Sequence, residues 1–246
     1  MSHDRRLFLR MAGSAAVAAA VGAAVGCAPD KTGRRRLAMA IDVRRCLDAH
    51  GCRACIDACH LAHNVPAIPE RRHEVKWIWK EPFERTFAVE DADTLTTALR
   101  GRDVLVFCNH CDNPPCVRVC PTQATWKRDD GVVTIDQHRC IGCRYCVAAC
   151  PYGSRSFNWV DPRPFVPHAT GEYPTRSRGV VEKCNLCEER LADGRLPACV
   201  EACPDHALLF GDVSDPASNI RKVLAERYAI RRKPELGTRP QVYYLI

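Results

Sequence analysis

Sixteen of the seventeen cysteines in this 246-residue chain fall into four groups of four. The first holds Cys46, Cys52, Cys55 and Cys59, and the second Cys108, Cys111, Cys116 and Cys120. The third holds Cys140, Cys143, Cys146 and Cys150, and the fourth Cys184, Cys187, Cys199 and Cys203. Every group ends in C-x-x-x-C, and three continue into proline, at Pro121, Pro151 and Pro204. Thiols in such patterns bind zinc, hold iron–sulfur clusters or pair as disulfides. The stretch GCRACIDACH raises a fourth chemistry, haem attachment at C-x-x-C-H, which the spacing rejects. Cys52 and Cys55 have the required gap but precede Ile56, whereas His60 follows Cys59.

The third group chooses among the other three. CIGCRYCVAACP is the run C-x2-C-x2-C-x3-C-P without deviation, a spacing that binds [4Fe-4S] clusters. Three cysteines on a tight loop wrap one face of a cubane. The fourth starts a short helix that leads away, so its thiolate reaches a neighbouring cluster, and the following proline fixes φ and turns the chain out. A zinc ribbon needs two C-x2-C pairs and has no use for the extra C-x3-C-P. Disulfides suit an exported protein, but the leader described below carries protein that folds in the reducing cytoplasm, where thiols stay available. All sixteen cysteines are therefore expected to ligate four [4Fe-4S] clusters. His60 and His63 stand at the exit of the first group and are expected as exposed helix residues, with tuning or proton relay as the alternative. His110 is expected to donate to a backbone oxygen rather than to ligate iron. Arg53, Arg139, Arg144 and Lys183 each adjoin a ligand cysteine and are candidates to raise cluster potentials, so that Arg144→Gln would lower one of them.

The formal charge of +7 does not point to nucleic acid. The first 26 residues contribute three arginines against one aspartate, and without them the charge is +5. Each oxidised cluster with four thiolates carries about −2, so four clusters make the loaded protein mildly acidic. Seven phenylalanines and six tyrosines leave too little for a large aromatic core, in keeping with a fold held partly by metal.

The leader DRRLFLRMAGSAAVAAAVGAAVGCAPD has a charged start and an apolar run from Met11 to Gly26, short of the roughly 20 residues a spanning helix needs. It reads as an export signal, and Arg5-Arg6-Leu7-Phe8-Leu9-Arg10 resembles the twin-arginine motif. Residues 1–27 are thus expected as a twin-arginine signal that sends the protein to the periplasm, with an uncleaved anchor as the alternative. Cys27 follows Ala-Val-Gly, a sequence similar to a lipobox, and is a candidate lipidation site.

The elements that must position the cysteines follow a repeat. Asp130-Gly131 between two β-prone stretches predicts a hairpin after the second group, and HALLFGD predicts a strand after the fourth. The order of cysteine loop, short helix and strand occurs twice. The expected fold is α+β: two bacterial ferredoxin-like modules of two clusters each, one inserted in the other, with short helices, β-hairpins and irregular connectors. Residues 28–40 read as a basic linker, 41–66 and 180–213 as the first module, 67–103 as an insertion and 104–160 as the second module. Residues 161–179 read as an ordered connector, and 214–246 as a helix and tail. EVKWIWK alternates as a strand with Trp77 and Trp79 packing on one face. SDPASNIRKVLAERY predicts a helix capped by Asp215 with Pro216 at its first position. The tail RPQVYYLI either closes the fold or enters a partner's groove.

Together the groups resemble the four-cluster electron-transfer subunits of membrane oxidoreductases, such as those serving polysulfide, tetrathionate or dimethyl sulfoxide reductases. ACHLAHNVP, CNHCDNPPCVRVCPTQAT, HRCIGCRYCVAACPYGSRSFNWVDPRPF and GVVEKCNLCEER are also similar to the exported DsrO-type subunits of the Dsr membrane complex of dissimilatory sulfur metabolism. The resemblance implies that groups exchange their last ligand. Cys46, Cys52 and Cys55 would be completed by Cys203, and Cys184, Cys187 and Cys199 by Cys59. Cys108, Cys111 and Cys116 would be completed by Cys150, and Cys140, Cys143 and Cys146 by Cys120. The five-residue gap after Cys46 departs from the wider family's spacing, and no ligand position is replaced. The resemblance further implies an integral-membrane subunit that exchanges electrons with quinones, and a c-type cytochrome on the same side. The chain has no nucleotide fingerprint, Ser–His–Asp arrangement or distinctive carboxylate pair, so it reads as an electron carrier rather than a catalyst. The alternatives are the electron-transfer subunit of an exported molybdopterin oxidoreductase, a zinc- or disulfide-stabilised adaptor, and a cluster-based sensor.

Overall fold

LAMAID is apolar on both faces because it becomes the inside of a sheet. In the computed structural model, which describes residues 34–49, 51–87 and 99–246, Leu37–Asp42 form strand β1 and all six are buried. The leader with its twin-arginine motif and Cys27 lie outside the described residues. β1 runs between an antiparallel neighbour, β8 (Leu208–Asp212), and a parallel one, β10 (Val242–Leu245), in the order β8-β1-β10-β9, where β9 is Ala229–Ile230. Alternate residues serve opposite faces. Leu37, Met39 and Ile41 join the main core, whereas Ala38 and Ala40 pack with Ile220, Val213 and Leu245 in a second cluster. The basic linker therefore ends earlier than the charge pattern suggested, since residues 37–40 are already strand. The tail is settled as well: β10 closes this sheet.

Asp42 ends β1 and caps helix α1 (Val43–Asp48), its carboxylate accepting from the Arg45 N–H at 3.2 Å and from the Arg227 guanidinium. Burial opposes the charge, but Arg227 and Arg45 outweigh it and hold the carboxyl below its ordinary value of 3.8. Asp42→Ala is expected to cost about 1–2 kcal/mol in anaerobic urea melts at pH 7. A depressed pKa contributes stability above the unfolded value and loses it as pH falls through the folded one. Asp42→Asn, which keeps a capping oxygen, should therefore differ from wild type at neutral pH and converge with it below pH 3.8.

The remaining elements are short and alternate with cysteine loops. Helix α2 (Ala54–Ala62) carries Cys55 and Cys59. β2 (Ile78–Pro82), helix α3 (Phe83–Phe87) and β3 (Asp103–Phe107) follow, with β2 and β3 antiparallel. The strand starts later than EVKWIWK suggested, because the Lys76 N–H donates sideways to Ser156 Oγ at 2.8 Å. Trp77 and Trp79 pack against the main core as expected. Helix α4 (Pro115–Arg118), the hairpin β4 (Thr125–Lys127) and β5 (Val133–Ile135), and helix α5 (Tyr145–Ala149) come next. β6 (Ser156–Phe157) pairs with β7 (Val181–Glu182), and helices α6 (Glu188–Ala192) and α7 (Ala198–Glu201) precede β8. α2 packs on α7, and α4 on α5.

Helix α8 (Asn219–Glu226) begins four residues beyond Asp215, with Ser218 as its cap. Asp215 instead closes the preceding turn, accepting from the Ala217 N–H at 2.8 Å. Gly211 lets this helix approach β8, since a Cβ there would sit 3.0 Å from Ile220 Cγ2. The connector is tied down by Arg176. Its buried guanidinium donates to Glu182 at 2.6 Å and to the carbonyls of His63 and Asn64, and lies over the Trp77 ring at 5.3 Å. Glu182, fully buried, also accepts from Trp77 Nε1 at 3.0 Å and from Asn158 Nδ2 at 2.6 Å.

Candidate metal centres

Three cavities are each lined by four cysteines drawn from two groups. Cys46, Cys52 and Cys55, from α1, its exit and α2, share one with Cys203, which follows α7. Cys108, Cys111 and Cys116 share the second with Cys150. Cys140, Cys143 and Cys146 share the third with Cys120. Their volumes are alike, about 370, 320 and 300 Å³. The remaining four meet inside the protein, where the Cys59 thiol is raised well above its usual value by burial and by Cys184, Cys199 and Cys187. The packing of α2 on α7 and α4 on α5 creates these crossings, because each helix, or the turn that ends it, brings a cysteine to its neighbour's loop.

Local backbone geometry aims peptide groups at sulfur. The residue before the second cysteine of C-x2-C is left-handed in three groups: His110, Gly142 and Leu186. Gly142 is obligatory, since a Cβ there would lie 2.3 Å from the Gly179 carbonyl. Leu186, Ala198 and Ala207 N–H groups donate to Cys184, Cys187 and Cys203 Sγ at 3.3–3.4 Å.

The donor sets fit a cluster better than a single ion. Zinc with bonds of about 2.3 Å draws tetrahedral thiolates to about 3.8 Å apart. Among the described residues, the one trio of His, Cys, Asp or Glu ligand atoms within 4.8 Å of one another is His63, Cys187 and Glu189. The four-thiol sets are thus too wide for one ion, while a [4Fe-4S] cube takes four thiolates at separated corners. All sixteen cysteines of the four groups are free thiols. The buried Arg155 guanidinium, one nitrogen of which has no partner among the described residues, lines the Cys108 cavity.

Burial and neighbouring thiols push Cys55 and Cys184 up to about 12, so these groups stay protonated until metal displaces the proton. Cys108 behaves oppositely. Burial raises it, but Lys183, His110 and Arg155 together bring it down to about 5.

The histidines differ from expectation. His63 is 1% exposed, stacked on Trp77 at 4.6 Å, with Nε2 2.9 Å from Glu189 Oε1. Burial opposes its proton, yet Cys187 and Glu189 raise its pKa to about 9. His60 is half-buried, and burial lowers its pKa. Both turn inward because α2 lies against β2 as well as α7. His110 accepts a backbone N–H, that of Val133 at 3.1 Å, rather than donating to a carbonyl. Among the four basic candidates, Arg53 and Arg139 are exposed and paired with Asp57 and Asp136, and Arg144 lies exposed over Trp159. Water and carboxylates screen all three, so the expectation attached to Arg144→Gln passes to Lys183, which is buried. Arg155 and Arg176 escaped the sequence reading, because an arginine in PYGSRSF or TRSRG carries no spacing signal.

Comparison with known proteins agrees with the cysteine geometry. The 4Fe-4S dicluster domain family matches residues 105–163 and 166–213. The Hdr-like menaquinol oxidoreductase iron-sulfur subunit 1 of Archaeoglobus fulgidus is 38% identical over 98% of this chain and 97% of its own length. This protein belongs to that family of oxidoreductase iron–sulfur subunits. Two further family members are a tetrathionate reductase subunit of Salmonella typhimurium and a polysulfide reductase chain of Wolinella succinogenes. They are 38% and 37% identical over 100% and 85% of this chain, and 89% and 93% of their own lengths. Such family members are electron-transfer subunits of membrane-associated oxidoreductases, and [4Fe-4S] is the group their domains hold. Among the described residues, no helix of this family member is long and apolar enough to cross a membrane.

Proposed function

We propose that the chain carries four [4Fe-4S] clusters and relays electrons within a membrane complex of dissimilatory sulfur metabolism, as a DsrO-type subunit. One end of the relay is an integral-membrane subunit that exchanges electrons with quinones, and the other is a c-type cytochrome or a further redox subunit. The clusters supply one-electron transfer, and the chain's part is to hold, space and bias them. Residues 104–160 form one ferredoxin-like module inserted into another made of 41–66 and 180–213. The protein is exported by the twin-arginine route and works at the periplasmic face, with Cys27 as a second attachment through lipid.

What carries this reading is the row of thiol sets. Cys55 is close enough to act electrostatically on Cys199, as Cys108 is on Cys184, and Arg155 acts on both Cys116 and Cys146. The sets therefore follow one another in the order Cys46, Cys184, Cys108, Cys140. A menaquinol oxidoreductase relative aligned over almost its whole length favours the quinone-linked assignment. The tetrathionate and polysulfide reductase relatives favour the second reading, an electron-transfer subunit serving a molybdopterin enzyme.

Anaerobically purified protein is expected to be brown, to bleach with dithionite and to contain about sixteen irons and sixteen sulfides per chain, four of each per cluster. A colourless zinc protein would sink the proposal. Isolation from native membranes then separates the two readings. A quinone-reactive membrane subunit with a haem c protein supports the DsrO type, and a molybdopterin subunit supports the alternative.

A further inference from the structure

Arg155 and Lys183 face each other across the β6–β7 ribbon. The ladder pairs Ser156 with Glu182 and Phe157 with Val181, so one step outward sets Arg155 opposite Lys183. Like charges directly opposite are destabilising, and burial makes an unpaired charge costlier still. Both are buried, at 4% and 1% exposure. Arg155 donates to Cys116 Sγ at 3.2 Å and Thr125 Oγ1 at 2.8 Å, and its other terminal nitrogen has no partner among the described residues. Lys183 donates to the carbonyls of Val133 and Cys184. Glu182 cannot neutralise either, because alternation turns it to the opposite face, where Arg176 holds it. His110 adds an uncharged donor. Its Nδ1 accepts the Val133 N–H, so the ring proton sits on Nε2, which is buried and has no hydrogen-bond partner among the described residues.

Two buried cations with no carboxylate partner among the described residues require buried negative charge elsewhere, and the Cys108 set is where they converge. Arg155 lines that cavity and donates to its Cys116 sulfur, while Lys183 and His110 both bond the backbone of Val133, which lines the same cavity. Arg155 also acts on Cys146 of the Cys140 set and Lys183 bonds the Cys184 carbonyl, but only the Cys108 set has both cations against it, and the nearer charges of the other sets are balanced or wet. Lys80 beside the Cys46 set is offset by Asp205, and His63 beside the Cys184 set by Glu189. Arg139 near the Cys140 set is paired with Asp136 and exposed.

We propose that Lys183, Arg155 and His110 form a collar of two cations and one N–H donor that gives the cluster held by Cys108, Cys111, Cys116 and Cys150 the most positive potential of the four. This rests on the four-cluster reading above. One electron arriving from a neighbouring cluster takes this centre and its thiolates from about −2 to about −3, with no proton required. The collar stabilises that added charge, so the first electron to enter the row settles there before passing on.

The test is a redox titration of the anaerobic holoprotein followed by electron paramagnetic resonance. Cys111→Ser, which leaves all three collar side chains in place, is expected to alter the signal with the highest midpoint. Lys183→Met and Arg155→Met are expected to move that midpoint down while the other three move less, and Lys183→Arg to restore it. If Cys111→Ser leaves the highest signal untouched, the collar is overturned, whether or not the other variants fold. Equal shifts in all four signals, or none, overturn it too. Iron and sulfide analysis of the same wild-type sample keeps the two ideas apart. A shortfall from about sixteen of each defeats the four-cluster reading, while a full count with the wrong order defeats only the collar.

Discussion

Replacing Cys203 with alanine is expected to remove the cluster held with Cys46, Cys52 and Cys55, and to leave the one held by the other cysteines of its own group. Cys203 lines the first group's cavity, where the Ala207 N–H donates to its sulfur at 3.3 Å. The mirror case is Cys59→Ala, whose thiol lies among Cys184, Cys187 and Cys199. In each variant iron is expected to fall by about a quarter, from about sixteen to about twelve per chain. Paramagnetic resonance should then give Cys203→Ala the spectrum of Cys52→Ala, and Cys59→Ala that of Cys187→Ala. The reverse match would return each cysteine to its own group and remove the crossed assignment.

Arg176→Met is expected to lower stability by about 3–5 kcal/mol, because it strands the Glu182 carboxylate in a site with no exposure. The loss reaches beyond one ion pair. Arg176 also bonds the carbonyls of His63 and Asn64, where α2 ends, and its plane covers Trp77 and Tyr173. For a chain of this size the apparent melting temperature should drop by about 6–20 °C. Adding Glu182→Gln should recover part of that loss, since it removes the stranded charge while keeping acceptors for Trp77 and Asn158. A double variant no more stable than Arg176→Met would show that the carbonyl and ring contacts, not the charge, carry the effect.

The gathering of the cysteines into four-thiol sets was legible in the sequence because it depends on local spacing. C-x2-C-x2-C-x3-C-P puts three thiols on one loop and sends the fourth away, and each four-thiol set contains one such emigrant. The DG hairpin and HALLFGD were legible for a similar reason, being short and governed by turn residues and alternation. What stayed hidden depends on who covers whom. LAMAID reads as the end of a basic linker until a strand about 200 residues later is laid beside it. His63 carries no mark of its burial, because Trp77 and Tyr173 arrive from the insertion and the connector. Arg155 has the same difficulty: its value lies in the register with Lys183, which no spacing rule announces.

The nesting of long-range contacts around short-range ones also sets a timetable. On the crossed assignment, everything needed for the Cys108 and Cys140 sets lies within residues 108–150, and can meet soon after that stretch leaves the ribosome. The outer sets must wait. Cys46, Cys52 and Cys55 need Cys203, and β1 needs β8 and β10 to cover it. At synthesis rates of about 5–20 residues per second, the first group spends roughly 7–30 s with reactive thiols and an open strand edge before its partner emerges. The earliest cysteines to be made are thus the last to be sealed, and a nascent chain deprived of iron would be expected to go wrong at its amino-terminal end first.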